Sequence, residues 1–93
     1  MIVKIYEYAG SFAEDKDVAK MIREQYVMLA ISTNQPITLD FDGVQSSTQS
    51  FIHALISKAF QDNGEKVLGQ ITFANCSEKV RGLIAMVTNY SLE

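Results

Sequence analysis

The chain has 93 residues, of which 47% are hydrophobic and 20% are charged, and its formal net charge is −3. This length allows a single domain, and this composition is typical of a folded globular chain and not of a disordered one. The scattered acidic residues and the lack of a basic stripe disfavour nucleic-acid binding, and no apolar run is long enough to span a membrane.

The single cysteine and the N-terminal segment bear on the cellular location, and the last two residues bear on the bounds of the domain. Cys76 is alone and cannot form an internal disulfide, and no segment resembles a signal peptide. We therefore expect a cytoplasmic protein. Residues 92–93 (Leu-Glu) resemble a cloning scar before a purification tag, so we assign one domain to residues 1–91.

The first half of the chain predicts a strand, a helix and a second strand. Residues 2–8 (IVKIYEY) are rich in β-branched and aromatic residues, and we predict a strand there, ended by residues 9–11. Residues 14–31 predict an amphipathic helix whose apolar stripe includes Val18, Met21, Ile22 and Leu29, with Gln25 as a polar interruption. In residues 37–42 apolar and polar residues alternate, which indicates a strand with one wet face.

The second half predicts helix, strand and helix. Residues 48–62 predict the most apolar helix, which ends at Asn63-Gly64, and its buried stripe is Phe51, Ile52, Leu55, Ile56, Ala59 and Phe60. Residues 70–74 predict a third strand. Ser77 is a natural N-cap for a last helix whose stripe is Val80, Leu83, Ile84 and Val87.

The order βαβαβα predicts the arrangement of these elements. Right-handed crossovers between parallel strands that step in one direction place every helix on the same side of the sheet. We therefore predict an α/β domain with a three- to four-stranded, mainly parallel sheet and helices mainly on one face. The open face should carry Thr38, Asp40 and Thr72, together with Lys4 and Tyr6.

Three segments, in this order, carry a resemblance to a known family: LDFDGV at 39–44, TQSF at 48–51 and FANCSEKVR at 73–81. With them the chain resembles the bacterial STAS-like family of unassigned function, whose relatives are the STAS domains of anti-sigma factor antagonists. The resemblance implies a small STAS-like fold without a cofactor. It also implies a protein partner, namely an ATP-binding anti-sigma factor that is a serine kinase and phosphorylates the antagonist at the start of the helix after this strand.

The resemblance is carried over to this chain position by position. The antagonists have Asp-Ser-Ser-Gly at that helix start, and the first serine is the phosphate acceptor. Aligned without a gap, the four positions are Thr48, Gln49, Ser50 and Phe51, so the acceptor position is Gln49 and only the second serine is kept. As candidate partner-binding residues or phosphate acceptors we take Ser50, Thr48, Ser47, Gln49, Asp42 and Gly43.

The individual candidates also have plain structural interpretations. Ser50 lies opposite the apolar stripe and should be exposed, either as a solvated serine or as a modifiable one. Thr48 and Ser47 stand where the helix needs an N-cap, and capping is their expected role. His53 is expected at the edge of the stripe, and Cys76 is expected to be a small half-buried residue without catalytic function.

Asp40 and Asp42 are two residues apart and should share one side of the strand at its carboxyl end. Ligands bind at this end of open α/β sheets, and paired carboxylates can hold a divalent cation. A turn at Asp42-Gly43 with a solvated Asp40 explains the same residues without a metal. We take no residue as a metal ligand or as catalytic.

These observations favour a non-enzymatic, regulatory domain that binds a protein, with an ATP-binding kinase-like protein as the partner that the resemblance implies. One alternative is a homo-oligomer, for example a homo-dimer, built through the open sheet face or an exposed strand edge. Another alternative is a weak metal-dependent activity at Asp40 and Asp42. We expect no cofactor, no nucleic acid and no membrane among the ligands.

Overall fold

A computed structural model describes all 93 residues. The strands are β1 (Ile2–Lys4), β2 (Phe12–Ala13), β3 (Ile37–Asp40), β4 (Ser46–Ser47) and β5 (Ile71–Ala74). The helices are the short α1 (Ile5–Ala9), α2 (residues 16–32), α3 (residues 49–63) and α4 (Glu78–Ser91), and a 3₁₀ segment (Gly64–Gly69) joins α3 to β5.

Strands β1, β3 and β5 form a parallel sheet in the order β1-β3-β5. The register aligns Val3 with Leu39 and Leu39 with Phe73. Val3, Leu39 and Phe73 thus share the face on which Val3 and Leu39 are buried, whereas the opposite face carries Ile2, Lys4, Thr38, Asp40 and Thr72, which are exposed or half-buried. The prediction of a parallel sheet covered by helices mainly on one face is confirmed.

Strand β1 is shorter than predicted. Strand β1 ends at Lys4, opposite the last residue of β3, and Ile5–Ala9 then forms one helical turn that buries Ile5. Gly10, at φ +75°, ends this turn and donates its N–H to the carbonyl of Tyr6 at 2.9 Å. The prediction of a strand to residue 8 is wrong, because the apolar spacing of residues 5–9 also suits one turn of helix. Tyr6 therefore does not lie on the open face of the sheet.

A second, two-stranded parallel sheet was not predicted. Phe12 pairs with Ser46 and Ala13 with Ser47, so β2 holds the segment that links β3 to α3. Two residues per strand are too few to produce an alternating pattern in the sequence. This small sheet fixes the path of the chain into α3.

Helices α3 and α4 bury the residues predicted for them. All six residues of the α3 stripe are buried: Phe51, Ile52, Leu55, Ile56, Ala59 and Phe60. In α4, Val80, Ile84 and Val87 are buried and Leu83 is half-buried. The hydroxyl of Ser77 accepts the N–H of Val80 at 3.2 Å, which confirms Ser77 as the N-cap.

Helices α2 and α3 each contain a π-helical turn, Arg23–Val27 in α2 and His53–Ser57 in α3. A π turn adds one residue to the helix and changes which residues face the core. In α2 the buried residues are Ala19, Ile22, Val27 and Ala30, while Leu29 is 49% exposed. The predicted burial of Leu29 is wrong for this reason, and Gln25 points to solvent and does not interrupt the apolar stripe.

The core is one cluster of 22 buried hydrophobic residues to which the central sheet and all four helices contribute. None of the helices combines the length and the apolar character that crossing a membrane requires.

Candidate functional site

The carboxyl end of β3 is organised by Asp40. Its Oδ1 accepts the N–H of Asp42 at 2.9 Å and the side-chain amide of Asn75 at 2.9 Å. The Asn75 hydrogen bond, and then that of the Asp42 N–H, hold the pKa of Asp40 below its ordinary value, and the charge of Lys4 acts in the same direction. The hydrogen bond between Asp40 and Asn75 therefore ties the turn after β3 to the turn after β5.

Asp42 is not on the strand. Strand β3 ends at Asp40, and the exposed Asp42 lies in the turn, so the prediction that both carboxylates share one side of the strand is wrong. No group of three or more His, Cys, Asp or Glu side chains is arranged to hold a metal ion. The turn is instead shaped by the hydrogen bonds of Asp40.

Gly43 continues this turn at φ +87°, a conformation that favours glycine. A Cβ atom at Gly43 would lie 2.9 Å from Cδ2 of Tyr6, because the Tyr6 ring of α1 lies directly against the turn. Beyond it, the carbonyl of Gln45 accepts the hydroxyl of Ser77 at 3.0 Å. The turn is thus packed against α1 on one side and bonded to the start of α4 on the other.

Ser47 and Thr48 have structural roles. Ser47 is only 9% exposed, and its hydroxyl donates to the carbonyl of Ala13 at 2.8 Å. The hydroxyl of Thr48 accepts the N–H of Phe51 at 3.1 Å, so Thr48 is the N-cap of α3, as predicted. Ser47 does not cap the helix but fastens β4 to β2.

Gln49 and Ser50 are exposed in the first turn of α3, and the exposure predicted for Ser50 is confirmed. Both line a groove of about 380 Å³ together with Lys16, His53, Ala54 and Tyr90. Nδ1 of His53 and the hydroxyl of Tyr90 are 2.8 Å apart, so α4 holds this histidine in place. The groove is the one cavity that candidate site residues line.

Four groove residues were not foreseen as site residues: Lys16, His53, Ala54 and Tyr90. Lys16 is the first residue of α2 and Tyr90 is in the last turn of α4, far in sequence from Ser50. No local pattern brings them together, since their proximity depends on how α2 and α4 pack against α3. A second groove of about 320 Å³ lies away from these residues, with Met28, Ile31, Ser32, Asn34, Asn63, Lys66 and Gln70 around it.

Cys76 is half-buried, as predicted, and its Sγ is 3.8 Å from the carbonyl oxygen of Ala74. Burial raises the pKa of the Cys76 thiol above its ordinary value. A thiol with a raised pKa is a poor nucleophile at neutral pH, so the structure gives Cys76 a packing role.

A known family model matches more than half of the chain. The family model described as "STAS-like domain of unknown function" matches residues 18–81, which run from the first turn of α2 to the first turn of α4 and include β3, α3 and β5. No curated protein and no solved structure matches the chain.

Proposed function

The chain belongs to the family of STAS-like domains of unknown function, and from that membership we propose that it is a non-enzymatic regulatory domain that binds a protein partner. The partner class that we propose, through the resemblance to anti-sigma factor antagonists, is an ATP-binding kinase-like protein. The proposed contact surface consists of the exposed residues Asp42 and Gly43, and of Gln49 and Ser50, which line the groove.

One observation carries this proposal. Among the hydroxyl residues around the start of α3, Ser47 and Thr48 are bonded within the fold, whereas Ser50 is exposed beside the groove. A side chain with this exposure is accessible to a partner. If the partner transfers a phosphate, Ser50 is the acceptor, since negative charge is favoured in the first turn of a helix.

The experiment uses an ATP-binding kinase-like protein of the anti-sigma factor class from the same organism, with ATP and magnesium. Binding is measured by calorimetry and phosphate transfer by intact mass. We expect the wild type to bind and Ser50→Asp to bind roughly tenfold more weakly, a loss of about 1.4 kcal/mol. Phosphate should be transferred to the wild type and not to Ser50→Ala.

The matched control is Ser32→Ala, which alters an exposed serine at the far end of α2. It should bind and accept phosphate as the wild type does. If the wild type does not bind, or if Ser50→Asp binds with wild-type affinity, the proposed surface is wrong.

Self-association is a second candidate, favoured by the position of β1. This strand lies at an edge of the sheet, and its Ile2 is 68% exposed on the more open face. Free strand edges are a common route to pairing between copies. Sedimentation of the isolated chain separates the two candidates, since a monomer at high concentration excludes self-association and leaves the partner protein.

A further inference from the structure

The end of α3 carries the pair Asn63-Gly64, whose chemistry the proposed function does not use. Asparagine is a thermolabile residue. Where glycine follows it, no side chain shields the next backbone nitrogen, and that nitrogen attacks the asparagine side chain most readily. Asn63 is the only asparagine of the chain that is followed by glycine. The sequence alone therefore marks Asn63 for rapid deamidation.

The folded end of α3 opposes this reaction. The backbone N–H of Gly64 donates to the carbonyl of Phe60, so the attacking nitrogen is engaged in a hydrogen bond. Nδ2 of Asn63 donates to the carbonyl of Ala59 at 3.0 Å, which directs the side-chain amide back along the helix. A planar cyclic imide requires Cβ, Cα and C of Asn63 to be nearly coplanar with the Gly64 nitrogen, and the ψ of −13° at Asn63 does not provide this. Asn63 is therefore protected while the last turn of α3 is closed.

We propose that Asn63 is a deamidation site controlled by the end of α3, which reacts when the last turn of the helix opens locally. Residues 61–66 are all exposed or half-buried, and they lie between the buried side chains of Phe60 and Val67. This segment can open without exposing the core, and such local openings need less free energy than global unfolding. The site is separate from the proposed contact surface, which lies at the other end of α3.

The reaction needs only water and hydroxide as co-reactants. Hydroxide removes the proton of the Gly64 backbone nitrogen, which then attacks Cγ of Asn63. The new N–Cγ bond closes the cyclic imide, the Cγ–Nδ2 bond breaks, and Nδ2 leaves as ammonia after taking a proton from water. Water then opens the imide at either of its carbonyl carbons and gives aspartate or isoaspartate. The net change consumes water and releases ammonia, and no group is oxidised or reduced.

Deamidation changes the end of α3 in a way that closing the turn does not reverse. A carboxylate at residue 63 has no N–H to donate, so the hydrogen bond to Ala59 is lost. Negative charge is unfavourable at the C-terminal end of a helix, and Asp62 and Glu65 are close in sequence. Asn63 also lines the second groove, so the reaction places a negative charge there.

The test incubates the intact chain at mildly alkaline pH and measures deamidation at Asn63 by peptide mapping with mass spectrometry. The reference is a free peptide of residues 60–67 with blocked ends, which has the same local sequence and no fold. We expect the folded chain to react at least about tenfold more slowly than the peptide. Hydrogen exchange of the Gly64 N–H reports the same opening, so its protection factor should match the slowing of deamidation within about threefold. The exposed Asn34, which Gln35 follows, should stay intact.

Two matched variants separate local opening from global unfolding. Gln61→Gly and Gln25→Gly each place glycine at an exposed helical position and lower helix propensity by a similar amount, but only Gln61 lies in the last turn of α3. We expect deamidation roughly threefold to fivefold faster in Gln61→Gly, and within about 1.5-fold of the wild-type rate in Gln25→Gly. The free peptide with the Gln61→Gly change corrects for any effect on the intrinsic rate. Asn63→Gln, whose longer side chain closes a ring far more slowly, should release no ammonia in the same time.

Several outcomes would overturn the proposal. If the folded chain and the free peptide react at the same rate, the helix end does not protect Asn63. If Gln61→Gly and Gln25→Gly accelerate the reaction equally, deamidation passes through global unfolding. If Gln61→Gly leaves the rate unchanged, or if Asn63 stays intact while the Gly64 N–H exchanges, opening of the last turn does not lead to the reaction.

Discussion

At the scale of single residues, the anchored carboxylate of Asp40 yields a prediction that NMR can check. Replacing Asn75 by glycine removes the hydrogen bond that contributes most to lowering the pKa of Asp40. Glycine suits the backbone there, since Asn75 has φ +57°. We expect the pKa of Asp40 in Asn75→Gly to rise toward its ordinary value, measured from carboxyl chemical shifts against pH.

The same change has a consequence for stability against pH. A carboxyl group whose pKa is lowered by folding stabilises the fold above its unfolded pKa of about 3.9, and this contribution is lost as the pH falls through the lower, folded value. Wild type should therefore exceed Asn75→Gly in stability at neutral pH, and the difference should shrink below about pH 4. Asn34→Gly is the matched control, since Asn34 has φ +56° and forms no hydrogen bond with Asp40. If the pKa of Asp40 is unchanged in Asn75→Gly, the hydrogen bond from Asn75 does not lower it.

Local geometry also explains which site residues the sequence could reveal. The cap at Thr48 and the exposure of Ser50 follow from helix periodicity and from the residue types at a helix start. The burial of Ser47 depends on a bond to Ala13, 34 positions away, and the groove depends on Lys16 and Tyr90. Such contacts require the packed fold, so the groove could not be predicted.

At the scale of elements, the buried stripes of α3 and α4 were predicted well and that of α2 was not, although α3 contains a π turn as α2 does. The stripes of α3 and α4 follow the 3.6-residue period, and their predicted residues are buried or half-buried. In α2, which contains a π turn, Leu29 is exposed and Val27 is buried. No residue type in this segment indicates that a π turn is present. Helix α1 was missed because five residues give too short a pattern to separate helix from strand.

The contact between α1 and the turn after β3 predicts how Gly43 responds to substitution. In Gly43→Ala the new Cβ meets the Tyr6 ring at 2.9 Å, in a backbone conformation at φ +87° that is already unfavourable for alanine. We expect a loss of roughly 2–3 kcal/mol in the free energy of unfolding, measured with urea. In a Tyr6→Ala background the loss should fall to about 1–2 kcal/mol, which is the backbone part alone.

Gly64→Ala separates the steric cost from the backbone cost. Gly64 has φ +73°, and a methyl group at this position would have no neighbouring atom within 4 Å, so only the backbone penalty applies. Gly64→Ala should lower the free energy of unfolding by about 1–2 kcal/mol, both in the wild type and in the Tyr6→Ala background. If Gly43→Ala costs no more than Gly64→Ala, the Tyr6 ring does not constrain the turn.

At the scale of the whole molecule, the parallel central sheet could be predicted because handed crossovers leave few arrangements for βαβαβα, whereas α1, β2 and β4 were not part of that prediction. The contribution of the first and last segments of the chain to the core could not be predicted. The family match covers residues 18–81, yet Val3, Ile5 and Val87 from outside that range belong to the same buried core. The matched part therefore shares one buried core with β1, α1 and the rest of α4.

A buried pair of hydroxyls fastens the end of α4 to α3 and predicts a coupled loss of global stability. Ser57 and Ser91 are 2% and 6% exposed, and their hydroxyl oxygens are 2.8 Å apart. Ser57→Ala and Ser91→Ala each leave one buried hydroxyl without its partner, which should cost about 1–2 kcal/mol in urea unfolding. The double variant should cost less than the sum of the two, because no buried hydroxyl remains unpaired. The exposed Ser32→Ala should stay within about 0.5 kcal/mol of wild type. Strictly additive losses would show that the two hydroxyls act independently, and that apolar packing alone holds the end of α4.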